Sequence, residues 1–174
     1  MNASTNNLPR KLRATSSGFT LIELMVTIAV LAIIVGIAAP SISTQLANQR
    51  VKSTAATLES ALREAKAESI IRRQNIAVIY NSASNPKTII LQNDSDTLST
   101  YNINDQNTMT VNTINTPPIA ITTVTFQPNK VIAGDDDILY SICDSGSTNE
   151  TPREIRLNKI TNITNITTTN TGSC

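Results

Sequence analysis

Glu23 is the residue whose surroundings most demand chemistry. It is the one charge in a 21-residue apolar run from Phe19 to Ala39 and occupies the fifth position of that run. A carboxylate in a membrane-length helix is costly, up to roughly 2.5–3.5 kcal/mol at the bilayer centre. It needs a partner, and the obvious one is an α-amine made by cutting the chain between Gly18 and Phe19. The chemistry this predicts is cleavage followed by charge pairing, with no catalysis by the chain itself.

Other candidate groups are weaker. The chain has no His, which excludes His-based acid–base work and His metal ligands. Asp135, Asp136 and Asp137 follow Gly134 and could offer oxygen ligands to a cation. Their spacing lacks a calcium-loop pattern and adjacent side chains diverge, so a solvated turn is expected. Arg153, Arg156 and Lys159 form a basic group near the C-terminus. Strand residues two apart share a face, so Arg153 and Arg156 point to opposite faces and cannot clamp one phosphate. Asn162-Ile163-Thr164 and Asn165-Ile166-Thr167 match N-glycosylation acceptors, but Thr/Asn-rich strand and turn is the expectation. No nucleophile with a base, phosphate loop or metal cluster is present. The expectation is a non-enzyme with no cofactor and no metal site.

The two cysteines, Cys143 and Cys174, are too few for a zinc site of their own. Beyond a membrane segment they lie in a compartment that permits a disulfide. Closing a loop of about 30 residues would contribute roughly 3–4 kcal/mol in the chain-entropy model. Two unrelated thiols are the alternative.

The elements that position Glu23 can be read from charge and periodicity. The leader 1–18 carries Arg10, Lys11 and Arg13 and no acid; removing it takes the chain from 14 basic and 13 acidic residues to 11 and 13, a net of −2. Such a chain lacks the cationic excess of a nucleic-acid binder. Twenty-one helical residues span about 32 Å, enough for a hydrocarbon core. The basic flank before the run, with no further cation until Arg50, orients the N-terminus inside. A secretory signal peptide would be cut after its apolar core; Glu23 inside that core and Pro40 just beyond it count against this. An unprocessed single-span anchor is the other alternative.

The helical pattern continues past the membrane run. Pro40 removes the donor that would reach the Gly36 carbonyl, so Gly36 and Pro40 mark a kink or melted turn; a simple helix end is the alternative. Val51, Ala55, Leu58, Leu62 and Ala65 then form one narrow apolar stripe. Glu59–Arg63 and Glu68–Arg72 are favourable i,i+4 pairs. Arg72 and Arg73 suit the negative end of the helix dipole, with Asn75 as the expected C-terminal cap. Domain boundaries follow: leader 1–18, membrane half of the helix 19–39, amphipathic half 40–75, and a β-rich head 76–174. In the head, Ile76–Tyr80 and Thr88–Gln92 flank turn residues and predict a hairpin. Further strands are expected at Met109–Ile114, Ile119–Phe126, Ile138–Cys143, Glu154–Leu157 and Ile160–Ile166. The run 93–108 has few apolar residues and is expected to be a mobile loop.

Gly18-Phe19-Thr20-Leu21-Ile22-Glu23-Leu24-Met25 resembles the processing site of type IV prepilins and type II secretion pseudopilins. The resemblance implies cutting between Gly18 and Phe19 on the cytoplasmic face by a prepilin peptidase. It also implies N-methylation of Phe19, retention of the apolar helix, and use of Glu23 to dock against a neighbouring subunit. It further implies some loss of helicity near Gly36 and Pro40 in an assembled fibre. The whole chain resembles the α+β type IV pilin fold, a long kinked N-terminal helix packed on an antiparallel sheet head. Residues 41–80, with Ala65, Ala67, Glu68, Arg72 and Ile76–Tyr80, look most like the GspH/FimT/FimU branch, and Phe126-Gln127-Pro128-Asn129-Lys130 adds to this. Ser41-Ile42-Ser43-Thr44 replaces the aromatics common in major pilins, which points to a minor subunit.

The function implied is a minor type IV pilin acting in initiation, assembly or the tip complex of a pilus. Its partners would be other pilins along the N-terminal helix, the peptidase and the inner membrane, with the head periplasmic before assembly. A type II secretion pseudopilin is the structural alternative, and a DNA-uptake or adhesion module the other. Some FimT-like pilins bind DNA through a C-terminal Gly-Arg-x-Arg motif. Pro152-Arg153-Glu154-Ile155-Arg156 departs from it, so DNA is not an expected partner.

Overall fold

The computed structural model describes residues 18–94, 96–115, 117–147 and 149–167, with the backbone alone at Ala39 and Pro40. The chain divides into two compact units between Ala39 and Pro40. Helix α1 covers Leu21–Arg72, 52 residues, and contributes to both.

In the first unit the helix is apolar all round. Its large side chains are exposed, from Phe19 at 79% to Ile37 at 74%. The window Leu21–Ala38 has a mean hydropathy of 2.7 and is long and apolar enough to cross a membrane. A helix with no polar face and no core of its own must be covered by lipid or by another chain.

The second unit is built on the predicted stripe. Val51, Ala55, Leu58, Leu62 and Ala65 are fully buried, and Ala47 and Ala61 join them. The alanines let strands approach the helix closely, while Leu58 and Leu62 fill the space between. Each fully buried leucine contributes about 1.5–3 kcal/mol of transfer free energy. Both expected i,i+4 pairs form: Arg63 Nη2 lies 2.6 Å from Glu59 Oε1, and Arg72 Nε donates to Glu68. The Arg63 guanidinium holds the Glu59 carboxyl below the usual range. The helix closes two residues earlier than expected. Arg73, at φ 55°, takes the left-handed position that closes a helix, where Asn75 had been expected to cap it.

Among the described residues, eight strands form two antiparallel sheets rather than one. The first has the order β3-β2-β1-β5, with β1 Ile76–Asn81, β2 Thr88–Asn93, β3 Asp96–Asn102 and β5 Thr123–Phe126. The second has the order β4-β6-β7-β8, with β4 Asn107–Thr113, β6 Ile138–Asp144, β7 Arg153–Leu157 and β8 Ile163–Thr167. The expected β1–β2 hairpin forms, with Val78 opposite Leu91 and Ile79 opposite Ile90. Its loop is held by Asn81 Oδ1, which accepts from Ala83 N–H at 3.0 Å and Ser84 N–H at 3.2 Å. Both sheets and the helix stripe share one core that includes Ile76, Ile89, Phe126, Ile142 and Ile155.

Three sequence expectations need correction. Residues 93–108 are not a mobile loop, because β3 and the start of β4 lie within them. Strand β3 is polar, and it is fastened by side chains: Ser99 Oγ and Tyr101 O–H both donate to Glu64 on the helix. The Glu64 carboxylate holds the Tyr101 phenol proton, with burial adding to it, and its pKa is pushed up to about 12. Strand β5 begins only at Thr123, and Ala120 makes a single bridge to Asn112. Strand β8 begins at Ile163 rather than Ile160, after Thr161 turns at φ 58°.

Candidate functional site

The N-terminal site is a short extended segment running into a capped helix. Gly18, Phe19 and Thr20 are non-helical and exposed. Thr20 closes the helix start: its carbonyl accepts from Leu24 N–H at 3.2 Å and its Oγ1 accepts from Glu23 N–H at 3.2 Å. These two bonds define an N-cap residue. The spacing Thr20-x-x-Glu23 is that of a capping box, a signal present in the sequence and not drawn from it above. Only half of the box forms. The Glu23 carboxylate has no hydrogen bond or ion pair among the described residues.

The residues expected to mark a kink lie inside α1. Helix geometry is assigned continuously across Gly36 and Pro40. A Cβ on Gly36 would meet nothing within 4 Å among the described residues.

In the second unit, a polar clasp that sequence reasoning missed joins helix and head. Arg50 donates to Asp144 through both Nε and Nη2, at 2.7 and 3.0 Å. The side chains are 20% and 0% exposed. The Arg50 guanidinium, and then Gly146 N–H, hold the Asp144 carboxyl below the usual carboxylate range against the opposing effect of burial. Beside it, Thr151 N–H donates to Asn48 Oδ1 at 2.7 Å, and Asn107 Nδ2 donates to Arg50 O at 2.9 Å and to Thr54 Oγ1 at 2.5 Å. The loop after β6 is thus tied to one turn of the helix.

Cys143 precedes this clasp on β6. It is 2% exposed and its sulfur is in a disulfide. Cys174 lies outside the described residues. The other candidate groups do not converge. Asp135 pairs with Lys159 Nζ, and Asp137 Oδ1 accepts from Lys159 N–H at 3.1 Å. Among the described residues no group of three or more Asp, Glu, Cys or His is placed to hold a metal. Arg153 faces an open polar cleft of about 300 Å³ with Gln45, Gln49 and Lys52. Arg156 alternates with buried Ile155 and Leu157 and is exposed, so the two arginines do not act together. Of the acceptor-like triplets, Asn162 precedes β8, and Asn165 within β8 bonds to Glu59.

A family model described as the prokaryotic N-terminal methylation motif matches residues 13–39. Among solved structures, the fold is similar to the type IV minor pilin FimU of Pseudomonas aeruginosa in two crystal forms. One aligns with a TM-score of 0.54 and 16% identity, covering 67% of this chain and 87% of that one. The other gives 0.53 and 16%, covering 66% and 91%. No curated protein is significantly similar in sequence. The N-terminus therefore carries the prepilin methylation motif, and the architecture is the α+β fold of type IV pilins. In fold the chain is similar to that minor pilin.

Proposed function

We propose that this chain is a minor subunit of a type IV pilus, made as a membrane-anchored precursor and built into the filament by its N-terminal helix. One observation carries the reading: a methylation motif over residues 13–39 heads a chain whose fold is that of a type IV minor pilin. In this proposal the leader is cut between Gly18 and Phe19 at the cytoplasmic face and Phe19 is N-methylated. The apolar helix holds the chain in the inner membrane with its head on the far side. The helix then leaves lipid for the packed helices of other pilins. Outside the bilayer the apolar surface of Leu21–Ala38 would face water unless other helices covered it, which holds the packed helices together.

Glu23 supplies register in this reading. Inside a helix bundle a lone carboxylate is costly, whereas one paired with the Phe19 amine of a neighbour is far less so. Its lack of a partner among the described residues supports this role. Gly36 and Pro40 form the point at which the helix loosens in the fibre. Cys143 and Cys174 pair and tie the C-terminal segment to β6. The function is structural, with no reaction and no cofactor of its own. The test is Glu23→Leu in cells expressing the other pilins. Membrane insertion should be unchanged and recovery of the subunit in sheared filaments should be lost; normal incorporation refutes the docking role.

A further inference from the structure

Thr20 separates a helix from a scissile bond. The helix begins at Leu21, so the Gly18 and Phe19 carbonyls lie ahead of the helical ladder, in exposed backbone. A different start is written into the same sequence. Ser17 is also a cap-type residue. Were it the cap, Gly18 and Phe19 would become the first helical residues, and the Gly18 carbonyl would accept from Ile22 N–H. The bond to be cut would then sit inside a helical turn with its carbonyl occupied. The bond from Glu23 N–H to Thr20 Oγ1 selects the later start.

We propose that Thr20 is a positioning residue for processing: its N-cap keeps Gly18–Phe19 extended and open to a peptidase at the membrane face. This rests on the processing reading above. In the cut itself, water oxygen adds to the Gly18 carbonyl carbon and the C–N bond breaks. Gly18 leaves as the carboxylate of the leader, and the Phe19 nitrogen, which keeps its own hydrogen, takes up both protons of the water to become the new ammonium. Thr20 does none of this chemistry. It fixes the conformation in which the chemistry can occur, and afterwards leaves one residue, Phe19, ahead of the cap.

The test uses the full-length chain in membrane vesicles containing a prepilin peptidase, reading the initial rate of the product that starts at Phe19 by mass spectrometry. Thr20→Val keeps the shape and removes the acceptor, and should slow cleavage by up to about fivefold, the shift in the helix-start equilibrium expected for one lost cap. Thr20→Ser and Thr20→Asn restore an acceptor and should run within about twofold of wild type, since both cap at least as well as Thr. Backbone carbon chemical shifts of the full chain in micelles should report Phe19 as non-helical in wild type and helical in Thr20→Val. Cleavage of Thr20→Val at the wild-type rate overturns the proposal. So does an Asn variant as slow as the Val variant, which would make the threonine a direct peptidase contact. A wild-type chain yielding no product that begins at Phe19 overturns the processing reading instead.

Discussion

Removing Arg50 should cost more than removing Asp144, although each breaks the same pair. In Arg50→Ala the carboxylate left behind is fully buried and, among the described residues, keeps only Gly146 N–H as a donor to its side chain, at 2.9 Å. Breaking a buried pair in this way costs about 3–5 kcal/mol, and the low end, about 3, applies because the pair reaches the surface on one side. In Asp144→Ala the orphan is Arg50, whose side chain is already 20% exposed and can turn toward water. That variant should lose about 1–2 kcal/mol, the worth of charge-assisted hydrogen bonds with partial resolvation. The double variant should resemble Asp144→Ala, so the coupling energy should be about 3 kcal/mol, the whole cost of Arg50→Ala. The assay is urea unfolding of the detergent-solubilised mature chain at pH 7, followed by circular dichroism. Equal single costs that sum in the double variant would refute the reasoning. Acid gives a second reading of the same pair. The folded Asp144 carboxyl titrates below its unfolded value of about 3.9. Its stabilisation is therefore present above that pH and lost as pH falls through the folded value.

At alkaline pH the Tyr101–Glu64 contact sets the trend. The Tyr101 pKa rises to about 12 in the folded chain, above about 10 when unfolded, so stability should fall as pH rises from 10 to 12. Thermal melts of Tyr101→Phe should show a shallower fall than wild type, and an unchanged slope would remove Tyr101 as the cause. The proposed Cys143–Cys174 bridge should appear in non-reducing peptide mapping as one linked species. Reducing it should lower stability by roughly 3–4 kcal/mol; two free thiols in protein from native envelopes would refute it.

What could be read from the sequence follows from where the physical signal is local. The stripe Val51–Ala65 was legible because apolar spacing alone fixes which side of a helix is buried, and every member is indeed buried. The β1–β2 hairpin was legible because two aliphatic runs flank turn residues. Strand β3 was missed because its sequence, Asp-Thr-Leu-Ser-Thr-Tyr-Asn, carries little apolar alternation. Its place depends on Glu64, which Tyr101 reaches across 37 residues. The Arg50–Asp144 clasp was invisible for the same reason, with 94 residues between the partners. The division of the head into two sheets depends on long-range pairing that periodicity does not encode. At the N-terminus, the positions Gly18, Phe19 and Glu23 stood out through charge and hydropathy. The cap at Thr20 was equally local, in the Thr-x-x-Glu spacing, but a membrane run draws attention to its one charge before its hydroxyl.

The central claim is that the mature chain begins at Phe19 and keeps its apolar helix. Intact-mass analysis and N-terminal sequencing of the protein from native envelopes test it directly. The account predicts a chain starting with N-methylated phenylalanine and retaining everything from residue 20 onward. A start after Gly36 or Ala38, or an uncut chain still carrying Arg10, Lys11 and Arg13, would contradict it.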